Sequence, residues 1–187
     1  KQITQTENIS VEDLLGRDAV PPLDHYIKAP TYDKVCLVTG AGGSIGSELS
    51  RQIAKCKPKQ LILIDNSEPA LFNIEQDLLQ SEITNISCYL GSVTDAEFIN
   101  KIFKENKIDS VFHAAAYKHV PMVENNPMAG LINNVEGTRK TLKAAQDANC
   151  KSFTLISSDK AVRPTNVMGA TKRIAEWMGR IEHNFGG

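Results

Sequence analysis

Glycines at regular spacing, followed by an acid, are the residues in this chain that point most clearly to chemistry. Residues 34–65 read KVCLVTGAGGSIGSELSRQIAKCKPKQLILID, in which two apolar runs flank the glycines and an amphipathic run. This order predicts a strand, a turn, a helix and a second strand. Gly40 allows a sharp turn, Gly43 leaves room for a phosphate, and Gly46 lets the helix pack on the sheet. Free N–H groups at the helix start favour an anion there.

A dinucleotide is the ligand that this arrangement favours. Asp65 follows Gly46 by 19 residues, where a carboxylate can accept hydrogen bonds from both hydroxyls of an adenosine ribose. The same charge repels a 2′-phosphate, and no arginine follows directly, so NAD is expected rather than NADP. The spacing is G-x-x-G-x-x-G rather than the commoner G-x-G-x-x-G, and the alternative is a tight turn that binds nothing. The expected cofactor contacts here are Gly40, Gly42, Gly43, Ser44, Ile45, Gly46 and Asp65.

Residues just past the third and fourth predicted strands are further candidates. Residues 113–127 read HAAAYKHVPMVENNP, where small side chains leave room for a flat group and polar ones follow. The alternatives are ligand contacts or a solvated loop. His113 and His119 lack a third ligand, so no metal is expected. We expect cofactor contacts at Ser92, Val93, Ala114, Ala115 and Ala116, and substrate contacts at Lys118, His119 and Glu124. For Ser92 the alternative is a turn that only precedes the next helix.

The stretch after the fifth predicted strand, residues 156–173, combines hydroxyl, acid and base. It reads ISSDKAVRPTNVMGATKR, with Ser158, Asp159 and Lys160 in sequence. A hydroxyl of this kind can bind a substrate oxygen, while an adjacent acid and base can exchange protons with it. Met168 and Lys172 are four residues apart and therefore share one helix face. Asn166 precedes them and is a further expected substrate contact.

The surrounding elements alternate between strand and helix, which predicts an α/β fold with a doubly wound, Rossmann-type parallel sheet in strand order 3-2-1-4-5. Ile45, Leu49 and Ile53 are expected on the inner face of the first helix. Thr94 to Glu97 form a capping box for a later helix. The remaining predicted elements are helices at 69–80, 126–148 (core stripe Leu131, Val135 and Leu142) and from 166 or 168 to 183, and strands at 86–90, 110–114 and 153–156.

Composition narrows the function class. The 187 residues are 41% hydrophobic and 23% charged, with a net charge of −1. This charge balance does not favour binding to nucleic acid or to an anionic membrane. No apolar run approaches the roughly 20 residues that span a bilayer. Four scattered cysteines fit reduced thiols.

Two regions are expected: a lead-in arm at 1–33 and a dinucleotide-binding domain at 34–187. The arm has a short helix at 10–15, then extended chain at Pro21, Pro22 and Pro30; it is either a plain linker or packs on the domain or a neighbouring subunit. Because the first residue is Lys1 rather than Met, we expect a piece of a longer protein.

The motifs resemble one family. The glycine spacing, Asp65, the serine pair and Lys172 are similar to the extended short-chain dehydrogenase/reductase superfamily. HAAAYKHVPMVE and SSDKAVRPTNVMGATKR narrow the resemblance to CapD-like nucleotide-sugar 4,6-dehydratases of bacterial polysaccharide biosynthesis, usually acting on UDP-N-acetylglucosamine. The similarity runs from about Val11 to Arg180, and residues 14–20, LLGRDAV, resemble the lead-in of the long, membrane-anchored members.

The resemblance implies roles for the residues after the fifth strand. Asp159 is the acid at C6 of the hexose, and Lys160 is the base at C5, for which burial or a nearby cation must lower its pKa. Lys172 holds the nicotinamide ribose, and Ser158 binds the C4 oxygen in place of the usual threonine. Met168 replaces the superfamily's tyrosine, as in the long CapD-like members, and a thioether cannot take the C4 hydroxyl proton. Asp159 or Lys160 is expected to take it, with retention of configuration at C5.

The same resemblance leaves other readings open. A sugar-nucleotide epimerase or reductase is one alternative, although it calls for tyrosine at 168, and a non-catalytic NAD-binding module is another. Family members carry a further substrate-binding region after the last helix, so we expect this stretch to be truncated, to bind NAD weakly and to turn over little. Self-association, a cytoplasmic location and a membrane anchor ahead of Lys1 are also expected.

Overall fold

The computed structural model describes residues 24–181, which form a five-stranded parallel sheet between two layers of helices. The strand order is β3-β2-β1-β4-β5, which confirms the prediction. Every pair of neighbouring strands is parallel, so all five carboxyl ends meet at one edge. The strands are β1 (Val35–Thr39), β2 (Gln60–Asp65), β3 (Ile86–Leu90), β4 (Ser110–His113) and β5 (Ser152–Leu155).

The central strands β1, β2 and β4 are almost wholly buried because helices cover both faces of the sheet, whereas the edge strands β3 and β5 are partly exposed. The helices are α1 (Asp24–Thr31), α2 (Ser44–Lys55), α3 (Glu68–Gln80), α4 (Ala96–Glu105), α5 (Val120–Asn125), α6 (Pro127–Leu131), α7 (Gly137–Asp147) and α8 (Val167–Ile181). In β1, Val35 and Leu37 join the core under α4 and α7, whereas Cys36 and Val38 join the core under α2 and α3.

The prediction of a single helix at 126–148 is wrong, because the structure divides this stretch into shorter segments. Two short helices, α5 and α6, lead into a π-helical segment at Ile132–Glu136, and only then does α7 begin. The wider turn changes which side chains face inward, so Leu131 of the predicted core stripe is exposed while Val135 and Leu142 are buried. The π segment instead turns Asn133 and Asn134 into the interior.

Three further sequence expectations are corrected. The cap of α4 is Asp95, whose Oδ1 accepts the Phe98 N–H at 3.1 Å, and not Thr94, whose hydroxyl pairs with Ser92. Ile45 is 55% exposed because it lies at the first turn of α2, before that helix meets the sheet. Pro30 lies within α1 rather than in extended chain. The helix expected at 10–15 lies outside the described residues, as does the predicted end of α8 at 183.

The last part of the predicted arm packs on the domain. Ser110 Oγ, at the start of β4, donates to the Pro30 carbonyl at 2.6 Å, and Thr31 is fully buried. In the described residues the arm is therefore not a plain linker.

A buried histidine connects the sheet to the π segment. His113 Nδ1 lies 2.7 Å from Thr39 Oγ1, and Nε2 lies 3.1 Å from Thr138 Oγ1. Thr138 donates its own hydrogen to the Asn134 carbonyl at 2.6 Å, so it accepts from the ring, and Nε2 carries the proton. Burial, with a smaller contribution from Lys172, lowers the pKa of His113 to about 3.

His113 should make the domain sensitive to acid. Between pH 6.5 and about 3 the unfolded histidine binds a proton that the folded one excludes, so the free energy of unfolding should fall with falling pH across that window. The full slope from one such group is about 1.4 kcal/mol per pH unit. Urea unfolding at a series of pH values should show this slope flattened in His113→Gln and retained in His119→Gln, an exposed control. Equal slopes in all three proteins would contradict the account.

Candidate functional site

The glycine turn between β1 and α2 is as close-packed as its spacing predicts. Gly40 has a φ of +65°, in the left-handed region. A Cβ on Gly46 would lie 1.9 Å from the Gly40 carbonyl oxygen, so the start of α2 approaches the turn more closely than any other residue allows. Gly43 differs, because a Cβ there would lie 3.3 Å from the same oxygen and meet nothing else within 4 Å. The space beside Gly43 is open to a ligand.

Asp65 is buried at the carboxyl end of β2 and holds the neighbouring loops. Its Oδ2 accepts the Gly42 N–H at 2.9 Å, and its Oδ1 accepts the Ser67 N–H at 2.9 Å. Each carboxylate oxygen has two lone pairs, so both retain an acceptor position for a ribose hydroxyl. The acid that the sequence singled out therefore lies directly beside the glycine turn.

The loop after β4 contacts the start of α2 and lines a small cavity beside it. Lys118 Nζ donates to Ser44 Oγ at 3.1 Å, which brings a cation to the start of α2, where a diphosphate is expected. A small cavity of about 70 Å³ lies nearby. Its lining includes the predicted contacts Ser92, Val93, Ala115 and Ala116. The open space at Gly43, the acid, the cation and these small side chains fit NAD.

A larger cavity of about 500 Å³ lies on the other side of the same loop. It is lined by the predicted substrate contacts Lys118 and His119 together with Tyr117, Met122 and Asn126. Its mixed apolar and polar lining is typical of small-molecule sites. Glu124 does not line it.

The residues after β5 form a compact group with unequal exposure. Ser158 Oγ is buried and is the one buried side-chain polar atom in the described residues without a hydrogen-bond partner. Asp159 and Lys160 lie on a 3₁₀ turn, Asp159–Ala161, and pair at 3.4 Å. Their side chains are 86% and 49% exposed. The described residues therefore leave Lys160 half-exposed and Asp159 exposed.

Lys172 is the buried cation of the site. It is 8% exposed, and its Nζ donates to the Ile156 carbonyl at 2.8 Å. Burial lowers the pKa of Lys172 to about 8, against a smaller opposing effect of Glu176. Met168, one turn earlier on α8, is also buried. Met168 and Lys172 therefore lie one turn apart on the buried side of α8, and Lys172 reaches the chain two residues before Ser158.

Two predicted substrate contacts make hydrogen bonds within the protein instead. Glu124 Oε1 accepts the Val167 N–H at 2.6 Å, and Asn166 Oδ1 accepts the Gly169 N–H at 2.7 Å. Both side chains therefore cap the first turn of α8. Their role toward substrate stays a prediction.

Sequence reasoning missed Asn134, which organises the loop after β4. Its Oδ1 accepts the Tyr117 N–H at 2.7 Å, and its Nδ2 donates to the Tyr117 carbonyl and to Thr171 Oγ1, both at 3.0 Å. Thr171 in turn donates to the Met168 carbonyl at 2.7 Å. The available signal was a pair of asparagines inside a predicted helix, where asparagine is a poor helix former.

Metal and membrane features can be stated for residues 24–181 alone. Within that range no cluster of three or more metal-ligating His, Cys, Asp or Glu side chains occurs. No helix in that part of the chain has the length and apolar content to cross a membrane.

The five-stranded parallel sheet, with cavities beside the loop after β4, is a Rossmann-like fold. Residues 36–184 match the family described as "Polysaccharide biosynthesis protein", and the chain belongs to that family. It is 42% identical over 177 residues to the capsular polysaccharide biosynthesis protein CapD of Staphylococcus aureus, covering 94% of this chain and 30% of CapD.

Two other relatives have activities in their names. The UDP-N-acetylglucosamine 4,6-dehydratase (inverting) of Campylobacter jejuni is 32% identical over 158 residues, covering 82% of this chain and 45% of that protein. The UDP-glucose 4-epimerase of Bifidobacterium longum, solved with NAD⁺ and UDP, superposes with a TM-score of 0.70 at 27% identity, over 80% of this chain and 49% of that one. The chain thus spans less than half of each of these relatives.

Substitution of Gly46 should destabilise the fold, whereas substitution of Gly43 should weaken ligand binding. Gly46→Ala forces a backbone clash, so its free energy of unfolding should fall by about 2 kcal/mol or more. Gly43→Ala should keep near-wild-type stability but bind NAD more weakly, because its methyl group enters the space left for the diphosphate. Thermal unfolding and calorimetric NAD titration measure the two effects. A Gly46→Ala protein of unchanged stability, or a Gly43→Ala protein of unchanged affinity, would contradict this geometry.

Proposed function

We propose that this chain is the NAD-binding part of a nucleotide-sugar 4,6-dehydratase that converts UDP-N-acetylglucosamine to a UDP-4-keto-6-deoxy sugar. The observation that carries the proposal is the group at the end of β5. Ser158, Asp159 and Lys160 follow the strand directly, and buried Met168 occupies the helix position one turn before Lys172. The Campylobacter jejuni relative named for this reaction supports the substrate class.

The residues of the chain divide the reaction between them. The glycine turn at Gly40 to Gly46 and Asp65 would hold NAD, which would supply a hydride acceptor for C4 and a hydride donor for C6. Ser158, whose hydroxyl has no partner among the described residues, binds the C4 oxygen. Lys172 holds the nicotinamide ribose and places positive charge near C4. Lys160 removes the C5 proton that the 4-keto group acidifies, and Asp159 protonates the departing C6 hydroxyl, so that water leaves.

The exposure of Asp159 and Lys160 sets a condition on this mechanism. Both are open to solvent in the described residues, yet a general base needs a lowered pKa to act near neutral pH. Substrate and the rest of the protein must bury them during the reaction. Met168 supplies no titratable group, so Asp159 or Lys160 takes the C4 hydroxyl proton. Retention of configuration at C5 is proposed from the methionine at this position, whereas the Campylobacter jejuni relative is named inverting.

A second function rests on the epimerase relatives. A UDP-glucose 4-epimerase of Rickettsia massiliae is 33% identical over 149 residues, and epimerase structures share the fold. An epimerase or reductase would need only C4 chemistry and would leave Asp159 and Lys160 without a task. A non-catalytic NAD-binding module would leave Lys172 without one as well. A cytoplasmic site of action, self-association and a membrane anchor elsewhere in the protein belong to the same proposal.

Cofactor choice should depend on Asp65. Asp65→Ala removes the ribose acceptor and the charge that repels a 2′-phosphate, so the preference for NAD over NADP should fall at least about tenfold. Calorimetric titration with both dinucleotides measures the ratio. Because Asp65 also holds Gly42 and Ser67, Asp65→Asn is the companion variant, which keeps an acceptor oxygen but loses the charge. Unchanged discrimination in both variants would remove Asp65 from the ribose site.

The reaction itself is tested by an NMR time course in D2O with the full-length protein and UDP-N-acetylglucosamine. A new C6 methyl signal with deuterium at C5 is the expected result, and the C5 coupling reports retention or inversion. Lys160→Met and Asp159→Asn should reduce product formation by at least about 100-fold, typical of losing a general acid or base. Lys143→Met, an exposed control on α7, should not. An unreacted sugar with NAD bound would contradict the dehydratase.

A further inference from the structure

The first turn of α8 fixes two active-site features at once. A Cβ on Gly169 would lie 2.4 Å from the Lys160 carbonyl oxygen, so the turn packs directly on the 3₁₀ segment that carries Asp159 and Lys160. One turn later, Lys172 is tied to the Ile156 carbonyl at the end of β5. A shift of this helix end would therefore move Lys172 relative to Asp159 and Lys160.

Two side chains hold that first turn, and they come from different parts of the chain. Asn166 is local and accepts the Gly169 N–H at 2.7 Å. Glu124 lies on α5, 43 residues before Val167, and accepts its N–H at 2.6 Å. A carboxylate at this end of a helix binds an otherwise free N–H and offsets the positive end of the helix dipole. Of these two hydrogen bonds, the Glu124 bond is the one that ties α8 to another helix.

We propose that Glu124 is a positioning residue for the reaction: it clamps α8 to α5 and so sets Met168 and Lys172 relative to the Asp159–Ala161 turn. The inference rests on the proposed function, and it gives Glu124 a different task from the substrate contact expected from sequence. Glu124 does not line the 500 Å³ cavity, whereas Lys118 and His119 do, and its Oε1 is already engaged with backbone.

The geometry of the clamp can be tested in the 187-residue chain without substrate or cofactor. Hydrogen exchange should show the amides of the first turn of α8 exchanging about fivefold faster in Glu124→Ala, as expected for loss of a helix cap. Glu124→Gln keeps an acceptor oxygen and should stay near the wild-type rates. Glu97→Ala, an exposed glutamate in the first turn of α4, is the control. Wild-type exchange in Glu124→Ala would overturn the clamp.

The functional consequence is read in the full-length protein with UDP-N-acetylglucosamine. Glu124→Ala should lower kcat at least about tenfold with KM changed less than about threefold, because a misplaced catalytic group affects the transition state more than binding. Glu124→Gln should recover most of kcat. A raised KM with kcat retained would make Glu124 a substrate contact and overturn the proposal. If the full-length protein does not dehydrate the sugar at all, the proposed function fails while the exchange result still decides the clamp.

Discussion

A buried ammonium group sets the main constraint on this domain. Lys172 is 8% exposed and has the Ile156 carbonyl as its hydrogen-bond acceptor, with the Glu176 carboxylate acting at longer range. Burying a charge without a directly bonded counter-ion is costly, and burial lowers the pKa of this amine to about 8. The arrangement persists because α8 is held at both its first turn and its sheet-facing side. An element that carries such a cost at a strand edge is typical of a functional site.

The rest of the edge is built from small residues and backbone groups, so that ligands can approach closely. Gly43 leaves open space at the start of α2, and Ala115 and Ala116 line a cavity beside it. Polar side chains in this region are mostly engaged with backbone, as Asp65 is with Gly42 and Ser67. Ser158 is the exception, with a buried hydroxyl that has no partner in the described residues. Under the proposed function, this hydroxyl is the group that binds the C4 oxygen of the substrate.

The order of the strands could be predicted from the sequence. Apolar runs alternate with amphipathic helices along the chain, and this alternation is typical of a doubly wound parallel sheet. Sequence reasoning also singled out Gly40 to Gly46, Asp65, Ser158 and Lys172 from their spacing along the chain, and their roles toward ligands stay predictions. It could not predict contacts between distant segments. Glu124 reaching Val167, and Asn134 holding Tyr117, depend on tertiary packing that no periodicity reveals. The sequence did not predict the π-helical segment either, because an i→i+5 turn has no strong residue signature.

The central claim is that Lys172 is a buried cation at the strand edge where NAD is proposed to bind. NMR titration of lysine labelled with ¹³C at Cε measures this directly, with the Lys172 signal assigned by its loss in Lys172→Arg. The account predicts a midpoint for Lys172 near pH 8 and a change in that midpoint when NAD is added. A midpoint with the other lysines near the ordinary value of about 10.4, unmoved by NAD, would contradict it.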